Sequence, residues 1–187
     1  MIEILGYKAH LLLALDFEQT FWRNFLINAP LFNGIRETLL FLKENKIPFV
    51  LFVSTEPVGN NGYMTWEQIK EINNEDFVTI GHHSHSHEYL IDKSDQEFVN
   101  DIETANNIFN NKLGYVPDLF SYPFGEYSEF MRQYVSKNFS YAFGQHSGII
   151  DVNKEKFQLP RFPINEKYGE LERFTSIIKT YPLEYKK

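Results

Sequence analysis

The sequence predicts an α/β protein built around a parallel β-sheet. Short apolar segments alternate along the chain with longer segments whose apolar residues recur at helical spacing. The short segments are apolar throughout, which is typical of strands that are covered on both faces of a parallel sheet. Polar residues follow them directly, at the ends where a (β/α) barrel or an open parallel sheet builds its functional sites.

Five of the short segments are predicted strands, and a sixth is strand-like. The strands are 10–17 (HLLLALDF), 48–54 (PFVLFVS), 77–81 (FVTIG), a segment within 117–125 (PDLFSYPFG) and 141–144 (YAFG), and the strand-like segment is 157–164 (FQLPRFPI). The polar residues at their ends are Asp16, Ser54, the histidines after Gly81, and the stretches 121–125 and 144–146. Because parallel strands bring their carboxyl ends to one edge, we expect a site there.

The longer segments are predicted helices, and two of them carry clear end signals. The helices are 34–47, 65–73, 94–114, about 128–137 and 169–181. Thr65 followed by Gln68 has the pattern of a capping box. The longest helix begins with Ser94 or Asp95 as its N-cap and ends at Gly114.

Composition limits the class of protein. The chain has 187 residues, which suits a single domain over 1–187, and no cysteine, which excludes disulfides and thiolate chemistry. Its formal net charge of -7 argues against binding to nucleic acid, because neutralising phosphates needs a basic face. No segment has the length of a membrane span or the pattern of a signal peptide, so we expect a cytoplasmic location. The sequence does not specify the oligomeric state.

Four of the six histidines in the chain fall within 82–87, directly after a predicted strand. They can be a solvated polar loop, a nonspecific surface metal-binding tract, or a site in which two imidazoles bind one transition metal. The position after a buried strand and the alternation with small serines favour the third interpretation. A carboxylate and water complete a hydrolytic zinc site of this kind. Asp16 and Glu18, at the end of the first strand, are the candidate acids, one as ligand and one as proton acceptor.

Several motifs together resemble one family. The segment TIGHHSHSH (79–87), read as G-x-H-S-x-x-H, resembles the metal-binding motif of the polysaccharide deacetylases, the NodB-homology proteins of carbohydrate esterase family 4. The segment LFSYPFGEYS (119–128) is similar to the next motif, in the version found among poly-N-acetylglucosamine deacetylases. The segments 46–55, 62–71, 141–150 and 159–165 resemble further family elements in order. The resemblance extends over about 34–170, and residues 1–30 are divergent.

The resemblance implies a distorted (β/α) barrel that binds a divalent metal, usually zinc, through an Asp-His-His triad. It also implies hydrolysis of N-acetyl groups from the amino sugars of a polysaccharide or glycan. Carried over by position, His83 and His87 are the metal ligands, and Ser84 is a hydrogen-bond donor that holds the loop. His82 and His85 are then neighbours of the site.

Two motifs depart from the family pattern. The family usually has two adjacent acids, the catalytic base and then a metal ligand, whereas this chain has Asp16-Phe17-Glu18. By analogy with branches in which one residue separates the acids, Asp16 is the base and Glu18 the ligand. In the alternative, Asp16 binds the metal and there is no base. Ser121 occupies the position of an arginine that usually pairs with the catalytic acid, and we expect Arg161 to supply this charge from another strand.

The turn YPFG (122–125) is predicted to contact the reacting group. Gly125 permits a tight turn, and the backbone N–H of Phe124 is expected to donate to the developing oxyanion. Phe124 and Tyr122 are also candidates for stacking on a sugar, the alternative being an ordinary turn with packed aromatic rings. The family uses a late histidine as general acid, and His146 is either that acid or a loop residue.

These assignments predict a metal-dependent hydrolase that acts on an N-acetylated glycan, with zinc as the expected cofactor. One alternative is a catalytically inactive deacetylase-like barrel that binds carbohydrate, as the altered first motif and the missing arginine suggest. Another is a phosphatase, because Asp16-x-Glu18-x-Thr20 is similar to the nucleophile motif of haloacid-dehalogenase-like enzymes, although the second aspartate of that motif is lacking.

Overall fold

The computed structural model describes residues 49–61, 63–146 and 155–161 with their side chains, and the backbone of three short strands before them. The strands are β1 (Glu3–Ile4), β2 (Tyr7–Lys8), β3 (Leu13–Asp16), β4 (Phe49–Val53), β5 (Val78–His82), β6 (Leu119–Ser121) and β7 (Tyr141–Phe143). The helices are α1 (Trp66–Asn73), α2 (Asp95–Leu113) and α3 (Glu129–Asn138), and short 3-10 turns lie at Leu90–Asp92 and Pro123–Gly125.

Strands β3 to β7 form one parallel sheet in which each strand pairs with the next strand in sequence. Helices α1, α2 and α3 lie in the chain between β4 and β5, β5 and β6, and β6 and β7. A parallel bridge between Phe143 and Leu159 extends the sheet beyond β7. Sequential parallel strands with intervening helices are how a (β/α) barrel is wound, and the predicted α/β class is confirmed.

Strand β4 shows how the sheet is covered on both faces. All five of its residues are buried. Phe49, Leu51 and Val53 pack against residues of α1 and α2, whereas Val50 and Phe52 pack on the opposite, inner face against later strands. The uninterrupted apolar pattern of this segment is therefore explained by burial on both faces of the sheet, as predicted from the sequence.

The helix ends follow the predicted caps. Thr65 and Gln68 form a reciprocal capping box at the start of α1. Ser94 is the N-cap of α2, and Gly114, with φ of 83°, ends that helix in the left-handed conformation. Ser128 caps α3, which ends at Asn138, one residue beyond the predicted bound.

Some boundaries differ from the predictions. β5 includes His82, whereas the predicted strand ended at Gly81. β3 is described over Leu13–Asp16, and the rest of the predicted strand 10–17 lies outside the described residues. The described part of the strand-like segment 157–164 contains a single bridge, at Leu159. β1 and β2 form an antiparallel pair that was not predicted, because strands of two residues have no periodicity.

Two predicted helices, 34–47 and 169–181, lie outside the described residues. The single domain over 1–187 also stays a prediction. Within the described ranges, no helix combines the length and the apolarity needed to cross a bilayer.

Candidate active site

The histidine loop, residues 83–87, follows β5 at the carboxyl edge of the sheet. His83 and His87 lie together in this loop, with ring centroids 4.8 Å apart and an interplanar angle of 59°. His83 is fully buried and His87 is partly exposed. The structure thus brings together the two imidazoles that the motif spacing selected.

The tautomer of His83 is set by the backbone of β6. Its Nδ1 lies 2.8 Å from the carbonyl oxygen of Ser121. A carbonyl oxygen can only accept, so Nδ1 carries a proton and the lone pair of the neutral ring is on Nε2. Metal-binding histidines commonly have this arrangement, because the hydrogen bond orients the ring and fixes its tautomer.

Gly81, in the same motif, makes room for the ring of Phe52. A Cβ atom at Gly81 would lie 2.5 Å from Phe52 Cε1 and 3.0 Å from Val50 Cγ1. The Phe52 ring packs in turn against His83, with centroids 6.4 Å apart. A larger residue at Gly81 would therefore displace the ring that supports His83.

Two residues of the loop have backbone conformations that non-glycine residues rarely adopt. Ser84 has φ of 66° and His87 has φ of 56°. The Ser84 Oγ accepts a hydrogen bond from the His87 N–H at 3.1 Å, and the Ser84 N–H donates to His82 Nδ1 at 3.1 Å. Ser84 thus holds the loop as predicted, although in the bond to His87 it is the acceptor and not the donor. Conformations of this kind persist where surrounding contacts over-determine them.

Asp101 of α2 supplies a further restraint on the loop, and sequence analysis did not identify it. One carboxylate oxygen accepts from the N–H of His85 at 2.7 Å, and the other accepts from the N–H of Ser86 at 2.9 Å. The residue lies within a helical pattern, well downstream of the loop, and no spacing rule connects the two. Only the packing of α2 beside β5 reveals the contact.

The ring of His82 lies among aromatic residues of the core, and the ring of His85 lies beside Thr55. Three aromatic rings surround the buried ring of His82 at centroid distances of 5.1–5.4 Å: Phe109, Phe120 and Phe139. Burial, with a smaller contribution from nearby His83, lowers the pKa of His82 to about 3, so this ring is neutral. His85 Nδ1 lies 2.8 Å from the hydroxyl of Thr55.

Asp16 is the last residue of β3, at the same edge of the sheet as the histidine loop. It lies opposite Phe52 of β4, which lies opposite Gly81 of β5. Neighbouring strands are about 4.8 Å apart, so the backbones of Asp16 and Gly81 are separated by roughly 10 Å. The side chain of Asp16 is not among those described, and Glu18 lies outside the described residues. The choice of ligand and base between them stays a prediction.

The turn after β6 has the tight geometry predicted for Gly125. Gly125 has φ of 73°, and a Cβ there would lie 2.5 Å from the backbone nitrogen of Gln145. Phe124 also has a positive φ, of 58°. Its ring is 43% exposed and packs on His87, with centroids 4.9 Å apart. The turn therefore borders the histidine pair, and the role of the Phe124 N–H stays a prediction.

The prediction that Tyr122 stacks on a sugar is wrong. Its side chain is fully buried. The ring packs between Phe120 and Tyr127, at centroid distances of 5.2 and 4.6 Å, in the apolar cluster that also contains residues of α3. Tyr122 directly follows β6 and precedes the 3-10 turn at Pro123–Gly125, so its side chain still belongs to the core beside the strand.

Arg161 lies close to the strand position beside Asp16. Its guanidinium carbon is 5.7 Å from the ring centroid of Phe52, the register neighbour of Asp16. Its Nε donates to the carbonyl oxygen of Gly144 at 2.6 Å. This location agrees with the predicted pairing of Arg161 with the catalytic acid, which itself stays a prediction.

His146 is an exposed residue of the loop that follows β7. Its carbonyl oxygen accepts from the N–H of Arg161 at 2.9 Å. Among the residues described, no ring contact connects His146 with His83 or His87. Its role as general acid stays a prediction.

The imidazole nitrogens of His83 and His87 are donors of the type that binds a divalent metal such as zinc. Among the described side chains, which do not include those of β3, no group of three or more metal-binding residues occurs. The described donors are the two imidazoles, of which His83 presents Nε2 with its tautomer fixed. The predicted third ligand, Glu18 or Asp16, lies at or just beyond the end of β3, and its role stays a prediction.

The sequence profile of the family described as "Polysaccharide deacetylase" matches residues 33–142, which is more than half of the chain. The chain belongs to the polysaccharide deacetylase family. The matched region contains the histidine loop and the turn at Phe124, whereas the candidate residues Asp16, Glu18, His146 and Arg161 lie outside it. A search of curated proteins finds no significant match to this chain.

Solved structures with a similar fold include a protein described as a deacetylase and one described as a pseudoenzyme. The Streptococcus pyogenes deacetylase PplD, solved in complex with acetate, matches with a TM-score of 0.70 and 17% identity, over 86% of this chain and 66% of that chain. IcaB from Ammonifex degensii matches with a TM-score of 0.65 and 17% identity, over 90% of this chain and 95% of that chain. BA3943 from Bacillus anthracis, a CE4 family pseudoenzyme, matches with a TM-score of 0.51 and 14% identity, over 72% and 43%. These similarities confirm the predicted NodB-type, barrel-like fold.

Proposed function

We propose that this polysaccharide deacetylase family member is a metal-dependent hydrolase that removes N-acetyl groups from the amino sugars of a glycan. The observation that carries the proposal is the His83–His87 pair, with rings 4.8 Å apart and the tautomer of His83 fixed by a backbone carbonyl. Family membership supports an acetylated carbohydrate as the substrate class. PplD binds acetate, the product that such a reaction releases.

The metal would be held by His83 and His87, with Glu18 as third ligand, or with Asp16 in the alternative assignment. Zinc suits imidazole and carboxylate donors with an open position for water. When bound, such a metal polarises an amide carbonyl and lowers the pKa of a water molecule.

The remaining steps belong to residues around the pair. Asp16 accepts the proton of the attacking water, and the positive charge of Arg161 keeps this carboxylate ionised. The backbone N–H of Phe124 donates to the oxyanion that forms when water adds to the acetyl carbon. His146 gives a proton to the amide nitrogen as the C–N bond breaks, and acetate and the amine product leave.

The variants Asp16→Asn and Glu18→Gln test the two assignments of the acids. A variant of the metal ligand should lose bound zinc together with acetate release, whereas a variant of the base should keep zinc and lose acetate release. Zinc content is measured on purified protein, and acetate is measured with N-acetylglucosamine oligomers. If both variants keep full zinc content and full activity, the acids at the end of β3 are not part of the site.

A catalytically inactive, carbohydrate-binding barrel is the second candidate. It is favoured by Phe17 between the two acids and by Ser121 in place of the family's arginine. The pseudoenzyme BA3943 has the same fold. In this case the zinc-supplied protein would bind N-acetylglucosamine oligomers without releasing acetate, and Asp16→Ala would leave their affinity unchanged.

The cytoplasmic location expected from the sequence is also part of the proposal. Fractionation of cells that express the protein from its full gene tests it. Recovery with the exported or surface fraction would contradict it and would point to an extracellular glycan.

A further inference from the structure

Two aromatic side chains, Tyr89 and Phe124, are exposed next to the histidine pair. Phe124 is 43% exposed and Tyr89 is 40% exposed. The rings pack edge to face with centroids 5.5 Å apart, and Phe124 also contacts His87. Contiguous apolar rings left in solvent beside a candidate site indicate a binding surface.

Both rings are held in place before any ligand arrives. The hydroxyl of Tyr89 donates to the carboxylate of Glu126, so the segment just after the histidine loop is joined to the residue that follows the turn. Phe124 is fixed by its left-handed backbone and by the close contact between Gly125 and Gln145. Binding to rings that are already ordered loses less conformational entropy.

We propose that Tyr89 forms a subsite for a second sugar ring, adjacent to the sugar whose acetamide group reaches His83 and His87. This inference rests on the proposed function. One face of a pyranose ring carries only C–H groups and packs well on an aromatic ring, while the hydroxyls at its edge need polar partners. Phe124, in contact with His87, stacks on the sugar that reacts, and Tyr89 stacks on its neighbour. The exposed carboxylate of Glu126 accepts from the neighbour's hydroxyls.

The subsite makes a chain of at least two sugar rings a better ligand than a single amino sugar. A protein partner is disfavoured, because a stable protein interface buries about 800 Å² on each side and two rings supply only a small part of this. An anionic membrane is disfavoured by the net charge of -7.

Calorimetric titration with N-acetylglucosamine and with its β-1,4- and β-1,6-linked tetramers tests the subsite. Chelator-treated protein is used so that no substrate is consumed. Tyr89→Ala should weaken the affinity for at least one tetramer by about fivefold to tenfold and leave the affinity for the monosaccharide unchanged. Tyr89→Phe should weaken tetramer binding less than Tyr89→Ala, because it keeps the ring and loses only the hydroxyl bond to Glu126.

Tyr115→Ala is the matched control. Tyr115 is 39% exposed and its hydroxyl also donates to a side chain, Asn73 Oδ1, at 2.6 Å. It precedes β6 and therefore lies toward the amino edge of the sheet, away from the histidine loop. Its replacement should not change the affinity for either tetramer.

The inference is overturned if Tyr89→Ala binds both tetramers as tightly as the wild type. It is also overturned if the wild type binds neither tetramer more tightly than the monosaccharide. Binding to anionic vesicles that depends on Tyr89, without binding to either tetramer, would overturn it too. Acetate release is measured separately. If the protein releases no acetate but its binding to a tetramer depends on Tyr89, the proposed deacetylase activity is contradicted and the subsite is supported.

Discussion

At the scale of single residues, the contact between His83 and Ser121 explains how the family motif tolerates a substitution. By the resemblance of the motif, Ser121 occupies the position of the family's usual arginine, and the acceptor for His83 Nδ1 is the main-chain carbonyl of this residue. Any residue at position 121 that keeps the strand can provide it. In the proposed deacetylase the charge of the missing arginine comes from another residue, and Arg161 lies near the strand position beside Asp16.

Arg161→Ala should lower kcat about tenfold or more and change KM little, because the charge acts on the catalytic carboxylate and not on substrate binding. The measurement is acetate release at saturating and limiting oligomer. Arg132→Ala is the control, since Arg132 pairs with Glu129 on its own helix. Full turnover in Arg161→Ala would rule out Arg161 as the partner of the acid.

Asp101→Asn should raise the dissociation constant for zinc about tenfold and lower the free energy of unfolding by roughly 1–3 kcal/mol. An amide side chain has only one acceptor for the two N–H groups that the carboxylate now binds. Zinc affinity is measured by competition with a chelator, and unfolding by urea without metal. Glu103→Gln is the control, because Glu103 is exposed on the same helix and the substitution also removes one negative charge. It should change neither the zinc affinity nor the free energy of unfolding. Equal zinc affinity in the two variants would show that Asp101 does not position the loop.

At the scale of secondary structure elements, strand β5 and the site at its end were predictable from sequence, whereas the conformation of the histidine loop was not. The apolar run and the histidines after it predicted the strand and the site at its end. The conformation of the loop carries no local signal, because the left-handed residues are Ser84 and His87 and not glycines. That conformation depends on α2 through Asp101, and such a tertiary contact is not visible in local pattern.

Gly81→Ala should lower the free energy of unfolding by about 1–3 kcal/mol, because its methyl group would overlap the Phe52 ring. The double variant with Phe52→Leu should recover part of the loss relative to the sum of the single changes. Urea unfolding of the four proteins measures this coupling. Strict additivity would mean that the Phe52 ring does not require a glycine at position 81.

At the scale of the whole molecule, the order of strands β3–β7 and helices α1–α3 was predictable, and the direction of some side chains was not. Capping signals at Thr65 and Ser94 and the glycine at 114 located helix ends to within a residue or two. The burial of Tyr122 was missed because the sequence does not show at which residue β6 ends and the following turn begins. The aromatic ring that accompanies Phe124 at the surface is Tyr89, from another loop, and only the fold brings them together.

The central claim is that His83 and His87 hold a metal on which deacetylation depends. The most direct measurement is acetate release from N-acetylglucosamine oligomers before chelation, after chelation, and after addition of a stoichiometric amount of zinc. We expect release to stop on chelation and to return with zinc, in the wild type and in His85→Ala but not in His83→Ala. Acetate release that persists after complete metal removal would contradict the claim, as would its absence from zinc-saturated protein.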